Sequence, residues 1–82
     1  MSAMERGRVV RSLKGRNKGK SAVVLSVEGN AAFIADGKEY KLAKPKLKNI
    51  KHLEPCNVIL NESDFAFDSR LRKKLNGING NC

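Results

Sequence analysis

Between Arg6 and Lys20 the chain carries seven basic residues and no acidic one, centred on Gly15-Arg16-Asn17-Lys18-Gly19-Lys20. Side chains of this kind, packed this closely, neutralise phosphates. A glycine at each end lets the backbone turn sharply and approach a partner closely. Arg16, Lys18 and Lys20, with Asn17 among them and Arg11 and Lys14 leading in, can then form one patch against a line of phosphates. A second group is Lys44, Lys46, Lys48 and Lys51. In an extended segment Lys44, Lys46 and Lys48 point the same way at roughly 6.5 to 7 Å, close to the phosphate spacing of a nucleic-acid strand. Both groups point to nucleic acid.

Other chemistries fit poorly. Gly15 to Ser21 is reminiscent of a nucleotide-binding P-loop, but that motif needs four residues between its glycines and a helix after its Lys-Ser pair. Here there are three, and Ala22-Val23-Val24-Leu25-Ser26-Val27 has the composition of a strand. His52 is the only histidine; with Cys56 it offers two ligands where a structural zinc site needs four. No nucleophile with an orienting partner can be set beside it. We therefore expect no enzyme activity, no metal and no cofactor. Three Phe, one Tyr and no Trp leave few platforms for stacking bases, so binding should rest on backbone and shape rather than sequence.

The loop must be held by the elements on either side. Val9, Val10 and Leu13 precede it and Ala22 to Val27 follow, both short β-branched runs bounded by glycine, which predicts two antiparallel strands. Glu28-Gly29-Asn30 is a turn signal, and Ala31-Ala32-Phe33-Ile34-Ala35 a third strand. Asp36-Gly37 suits a two-residue type I′ hairpin, which would send Lys38 to Ala43 back as a fourth strand with Tyr40 and Leu42 facing the core. Pro45 makes Lys44 to Asn49 an extended edge loop, and Ile50 to Leu53 a short closing strand. Asn57 to Leu60 could pack along the barrel or add a strand. Asp68 or Ser69 can cap a short helix ending near Asn76, with Gly77 as its stop and Leu71 and Leu75 on one face. Its cations Arg70, Arg72, Lys73 and Lys74 then read as a solvated surface suited to the helix dipole, and Phe65 and Phe67 as anchors against the barrel.

Strand, glycine-bearing basic loop and strand resemble the KOW module, on Gly7, Val9, Val10, Gly15, Gly19, Val23 and Val24. Lys44-Pro45-Lys46-Leu47-Lys48 with Asn49-Ile50-Lys51-His52-Leu53-Glu54-Pro55 is similar to small bacterial KOW-type RNA-binding proteins related to large-subunit ribosomal proteins. The resemblance covers roughly residues 6 to 55 of the 82. It implies an SH3-like barrel and ribosomal RNA or the translation apparatus as target. The expected fold is mostly β: a small SH3-like barrel of about five strands followed by a short C-terminal helix. Residues 1–5 would be a flexible N-terminus, 6–55 the barrel, 56–76 an extension with the helix, and 77–82 a disordered tail.

Composition agrees with one small domain. The net charge is +9, and residues 1–54 hold 13 basic and 5 acidic side chains against 4 and 3 in residues 55–82. Such a field draws in polyanions and disfavours self-association, so a monomer is expected. No apolar run approaches a membrane span and no signal peptide is visible, which predicts a cytoplasmic protein without membrane contact and reduced thiols at Cys56 and Cys82. Two functions fit: docking on structured RNA through the loop and the lysine segment, or protein binding of the kind KOW domains perform in transcription elongation factors, through a barrel edge or the 65 to 75 segment. Charge density favours RNA.

Overall fold

The β-branched runs on either side of the basic loop form adjoining strands of a five-stranded antiparallel sheet. The computed structural model describes residues 4–15 and 18–78. The strands are β1 (Arg8–Ser12), β2 (Ser21–Glu28), β3 (Ala31–Ala35), β4 (Lys46–Asn49) and β5 (Leu53–Ile59), in the order β4-β3-β2-β1-β5. First and last strands are therefore partners. The chain crosses from β4 to β5 through a 3-10 turn, Ile50–His52, and irregularities between Arg8 and Val10 and between Val24 and Ser26 add coil to the sheet. The result is a small SH3-like barrel, followed by a second 3-10 turn (Glu62–Phe65) and the helix α1 (Asp68–Ile78).

Alternation along the strands separates two apolar clusters. Val10, Ala22, Val24, Ala32, Ile34 and Leu53 close on Met4 on one face of the sheet. Val9, Val23 and Ala35 face the other way, where Cys56, Leu60, Phe65, Leu71 and Leu75 cover them. Both faces of β2 are thus dry near its start, which explains the unbroken apolar run Ala22 to Leu25. Leu71 and Leu75 occupy one side of α1 and are buried, as their spacing predicted.

The connection from β3 to β4 differs from the sequence-based expectation. Residues 38–43 form bends and turns rather than a strand, and β4, Lys46–Asn49, takes the place beside β3, pairing Ile34 with Lys46 and Ala31 with Asn49. The type I′ geometry fails because only Gly37 has positive φ, at 77°. Asp36 instead turns its carboxylate back, Oδ1 accepting from the N–H groups of Lys38 and Tyr40 at 2.8 and 2.9 Å. Gly37 also has no room for a side chain, since a Cβ there would run into the Asp68 carbonyl. Asp68 Oδ1 in turn accepts from Leu42 N–H at 2.8 Å. The helix is docked on this connection, and Leu42 packs half-buried against the same cluster.

Further differences follow from packing. The short closing strand foreseen at 50–53 is the 3-10 turn and the first residue of β5, and β5 runs through Pro55 to take in Asn57 and Val58. The helix does not stop at Asn76 but passes through Gly77 to Ile78, which packs against the outer cluster. Phe65 is an anchor; Phe67, 65 % exposed, is not. Met4 is a core residue of the segment foreseen as flexible. Cys56, buried in the outer cluster, is disulfide-bonded rather than reduced; Cys82 lies outside the described residues, as do positions 79–81 of the tail. No helix among the described residues is long and apolar enough to cross a membrane.

Arg6 ties the N-terminal turn to the second 3-10 turn. Its Nε and Nη2 grip both oxygens of Glu62 at 2.7 and 2.8 Å, Nη1 donates to the Leu25 carbonyl, and the guanidinium lies 5.2 Å from the Phe65 ring centre. The hydrogen bond from Arg6, aided by its charge, holds the Glu62 carboxyl below its ordinary value of 4.5. At 55 % and 70 % exposure the pair adds little energy.

Two measurements check this account. Leu71→Ala should cost about 2 to 5 kcal/mol in urea unfolding, because its side chain is fully enclosed between helix and sheet. Since Glu62 is depressed in the folded state, its contribution exists above the unfolded pKa and disappears as pH falls through the folded one. The melting temperatures of wild type and Glu62→Gln should therefore differ slightly at pH 7 and converge in acid; a difference that persists at pH 2 would contradict the assignment.

Candidate nucleic-acid interface

The basic loop is a continuation of the β1–β2 hairpin. Ser12 N–H donates to the Lys20 carbonyl at 2.9 Å and Gly19 N–H to the Ser12 carbonyl at 2.7 Å, one step beyond the strands. Lys18 N–H donates to the Gly15 carbonyl at 3.2 Å and turns the chain. Gly15 and Gly19 sit at φ of 90° and 85°, where a side chain is strained, so the bounding glycines meet a backbone requirement. The segment after the loop is strand β2, which removes the helix a P-loop needs.

Three residues from other elements brace the base of the loop. Ser12 Oγ donates to the Lys14 carbonyl at 3.0 Å. Lys48 Nζ, reaching from β4, donates to Ser12 Oγ at 2.9 Å and to the same carbonyl at 3.3 Å. Leu13 N–H donates to the His52 carbonyl at 2.8 Å. His52 therefore serves here through its backbone. Ser12 was not foreseen as a site residue, and its only sequence signal was a small polar side chain closing an apolar strand.

The sequence-predicted cations fall into distinct environments. Lys14, Lys18 and Lys20 are exposed along the loop, and Lys51 is exposed on the 3-10 turn next to His52, beside them. Arg16 and Asn17 lie outside the described residues. Lys46 and Lys48 share one side of β4, but Lys48 is half-buried at the loop base while Lys46 is exposed. Lys44 stands apart, its N–H bonded to the Lys41 carbonyl at 2.9 Å in a turn before the strand. The three-lysine comb is therefore not one extended line. Arg11 is half-buried within β1, opposite Ser21 on β2 and Glu54 on β5, on the sheet face that carries Val9 and Val23 and is covered by α1.

Acidic groups are bound elsewhere. Glu62 pairs with Arg6, Glu5 with Arg8 and Asp64 with Lys74, whereas no ion pair among the described residues holds Lys14, Lys18, Lys20, Lys46 or Lys51. Those five charges face solvent without internal counterions, a surface able to displace the ions condensed on a polyanion. Among the described residues no three His, Cys, Asp or Glu side chains come together to hold a metal.

Relatives of the chain match it over most of its length. It is 32 % identical over 76 residues to the large ribosomal subunit protein eL14 of Saccharolobus islandicus and of Saccharolobus solfataricus, covering 92 % of this chain and 79 % of each of those proteins. The chain belongs to the eL14 family. The eL14 protein of Staphylothermus marinus is 28 % identical over the same span. No family model matches the chain. Kinship with eL14 proteins extends past residues 6–55 to most of the C-terminal region, so α1 is part of what the family shares in length and not an appendage of this chain.

Because Lys48 bridges β4 to the loop base, its ammonium fixes where the loop projects. Lys48→Met retains the stem and should cost about 1 kcal/mol, with faster amide exchange at Leu13 and Gly19. Unchanged exchange at both amides would show that the loop is set by its own turn alone.

Proposed function

We propose that the chain is an RNA-binding protein of the large ribosomal subunit, docking on structured ribosomal RNA through a KOW-type basic loop in the service of translation. The observation that carries this reading is the set of unpaired cations on and beside the loop, in a chain whose relatives are large-subunit proteins. Arg16, Lys18 and Lys20, with Lys14 and Asn17, would lie along phosphates, and Lys46 and Lys51 would extend the contact. Lys48 would act by holding the loop and Arg11 from the helix side of β1, while Lys44 would touch RNA only where it bends round the barrel. The role is structural and non-enzymatic, needs no cofactor, and has its place in the cytoplasm with one copy per binding site.

A second reading, protein docking, has one observation in its favour: Phe67 and Ile59 are exposed, at 65 % and 54 %. A protein neighbour on that surface is compatible with RNA on the loop.

The test is filter binding to refolded large-subunit ribosomal RNA across a salt series. Each lost phosphate contact lowers the slope of log affinity against log salt by about 0.7 to 0.9. Replacing Arg16, Lys18 and Lys20 together with Ala should therefore flatten it by about 2 to 3. An unchanged slope would remove the loop from the interface, and salt-insensitive binding by the wild type would overturn the RNA reading.

A further inference from the structure

The second half of the basic loop meets α1. A cleft of about 210 Å³ lies where Gly19 to Ser21, the turn after β3 and one side of the helix converge, lined by Lys20, Lys38, Arg72 and Asn76 together with the carboxylates Asp36 and Glu39. A shallower depression along Ser69, Arg70 and Lys73 shares Arg72 and Asn76 and continues the same surface outward. We propose that this cleft is a second phosphate-binding site for the backbone of the same RNA, so that the interface runs from the loop onto the C-terminal helix. The inference rests on the RNA-docking reading above.

Placement is the first support. Gly37 has no side chain, and a Cβ there would stand 3.2 Å from the backbone nitrogen of Arg72. With Leu71 and Leu75 buried on either side in sequence, Arg72 is held beside the turn that carries Lys38. Cations from three elements far apart in the chain are thereby gathered on a concave surface, which strengthens their common field. A solvated helix face needs no such convergence.

Counterions are the second. No ion pair or side-chain hydrogen bond among the described residues engages Lys20, Lys38 or Arg72, although Lys74 two positions on pairs with Asp64 at 3.6 Å. Asp36 directs Oδ1 into its own turn, toward the N–H groups of Lys38 and Tyr40. Glu39 is the one carboxylate of the lining without such an engagement.

The third support is unmet hydrogen-bonding capacity. Ser21 lines the cleft, and its Oγ is buried with no partner. Arg11, directly opposite Ser21 in the β1–β2 pairing, has its Nε buried and equally unpartnered. Both belong to the face covered by α1. Native proteins leave few buried polar atoms unsatisfied; Arg11 stands behind the cleft rather than in its lining, and a phosphate oxygen there is an acceptor suited to the Ser21 hydroxyl. An arginine such as Arg72 would add the paired donors that match phosphate geometry.

The experiment compares wild type, Lys38→Gln/Arg72→Gln and Glu39→Gln for binding to refolded large-subunit ribosomal RNA, with folding checked by circular dichroism. Two lost contacts should flatten the salt slope by about 1.4 to 1.8 and weaken binding about 25- to 60-fold at 0.1 M salt. Glu39→Gln should tighten binding, and since it removes only one lining charge it keeps the proposal falsifiable if the double variant unfolds. Wild-type binding with both variants unchanged overturns the cleft and leaves the loop reading standing. Absence of salt-sensitive binding by the wild type overturns both. Loss of co-sedimentation with ribosomal subunits by the double variant, at undiminished RNA affinity, would assign the cleft to an acidic protein and overturn the RNA site.

Discussion

The contact on which the rest of this molecule depends is the docking of α1 against the outer face of the sheet. A chain of 82 residues closed into a small barrel would leave Val9, Val23 and Ala35 facing water on the far side of β1, β2 and β3. Leu71, Leu75, Phe65 and Leu60 cover them, and at about 25 cal/mol per Å² of apolar surface buried such side chains are a large part of the core of so small a domain. The helix can lie this close because position 37 has no side chain, and it is registered by the bond from Leu42 N–H to Asp68. Register has a functional consequence. The same docking that buries Leu71 sets Arg72 beside the loop.

Charge placement follows a related logic. Self-repulsion in a +9 chain is least harmful where charges project into water, and five of its eight carboxylates, Glu5, Asp36, Glu62, Asp64 and Asp68, organise the backbone or bind one arginine or lysine. Asp36 and Asp68 accept from backbone N–H groups, and Glu62 clamps Arg6. None of these neutralises the loop. Among the lysines of the two basic groups Lys48 differs, since its ammonium is turned to Ser12 and the Lys14 carbonyl and supports the loop from below.

Strands β1 to β3 and the basic loop were legible because local chemistry decides them: β-branched runs, Gly29 at a turn, glycines where φ is positive. The fourth strand was misplaced because Asp36-Gly37 carries the residues of a hairpin but their side chain and backbone serve another purpose. Asp36 caps its own turn and Gly37 receives the helix, and no local signal announces a partner 31 residues away. Pro45 was read as making Lys44 to Asn49 an extended edge loop, yet it precedes the first paired residue of β4 and costs no ladder bond there. The site was half visible. Loop lysines and Arg11 stand out in any composition count, whereas Ser12, Ser21, Lys38 and Arg72 acquire their positions only through pairing and docking. One signal pointed to the covering helix: Ala22 to Leu25 is apolar without alternation, which a strand with one wet face would not be.

A fold with both sheet faces covered and a bare cationic end behaves differently from a uniformly charged one. Apolar burial holds the barrel and helix together whatever the ionic strength, while the loop and cleft cations repel one another and are restrained by only a few bonds, chiefly those of Ser12, Lys48 and His52. A polyanion laid across that end removes the repulsion and leaves the restraints in place, so binding and folding are coupled with the same sign. The unpartnered Ser21 hydroxyl in the cleft works in the same direction. The end of the molecule where cations crowd is thus the end with the most to gain from a polyanion.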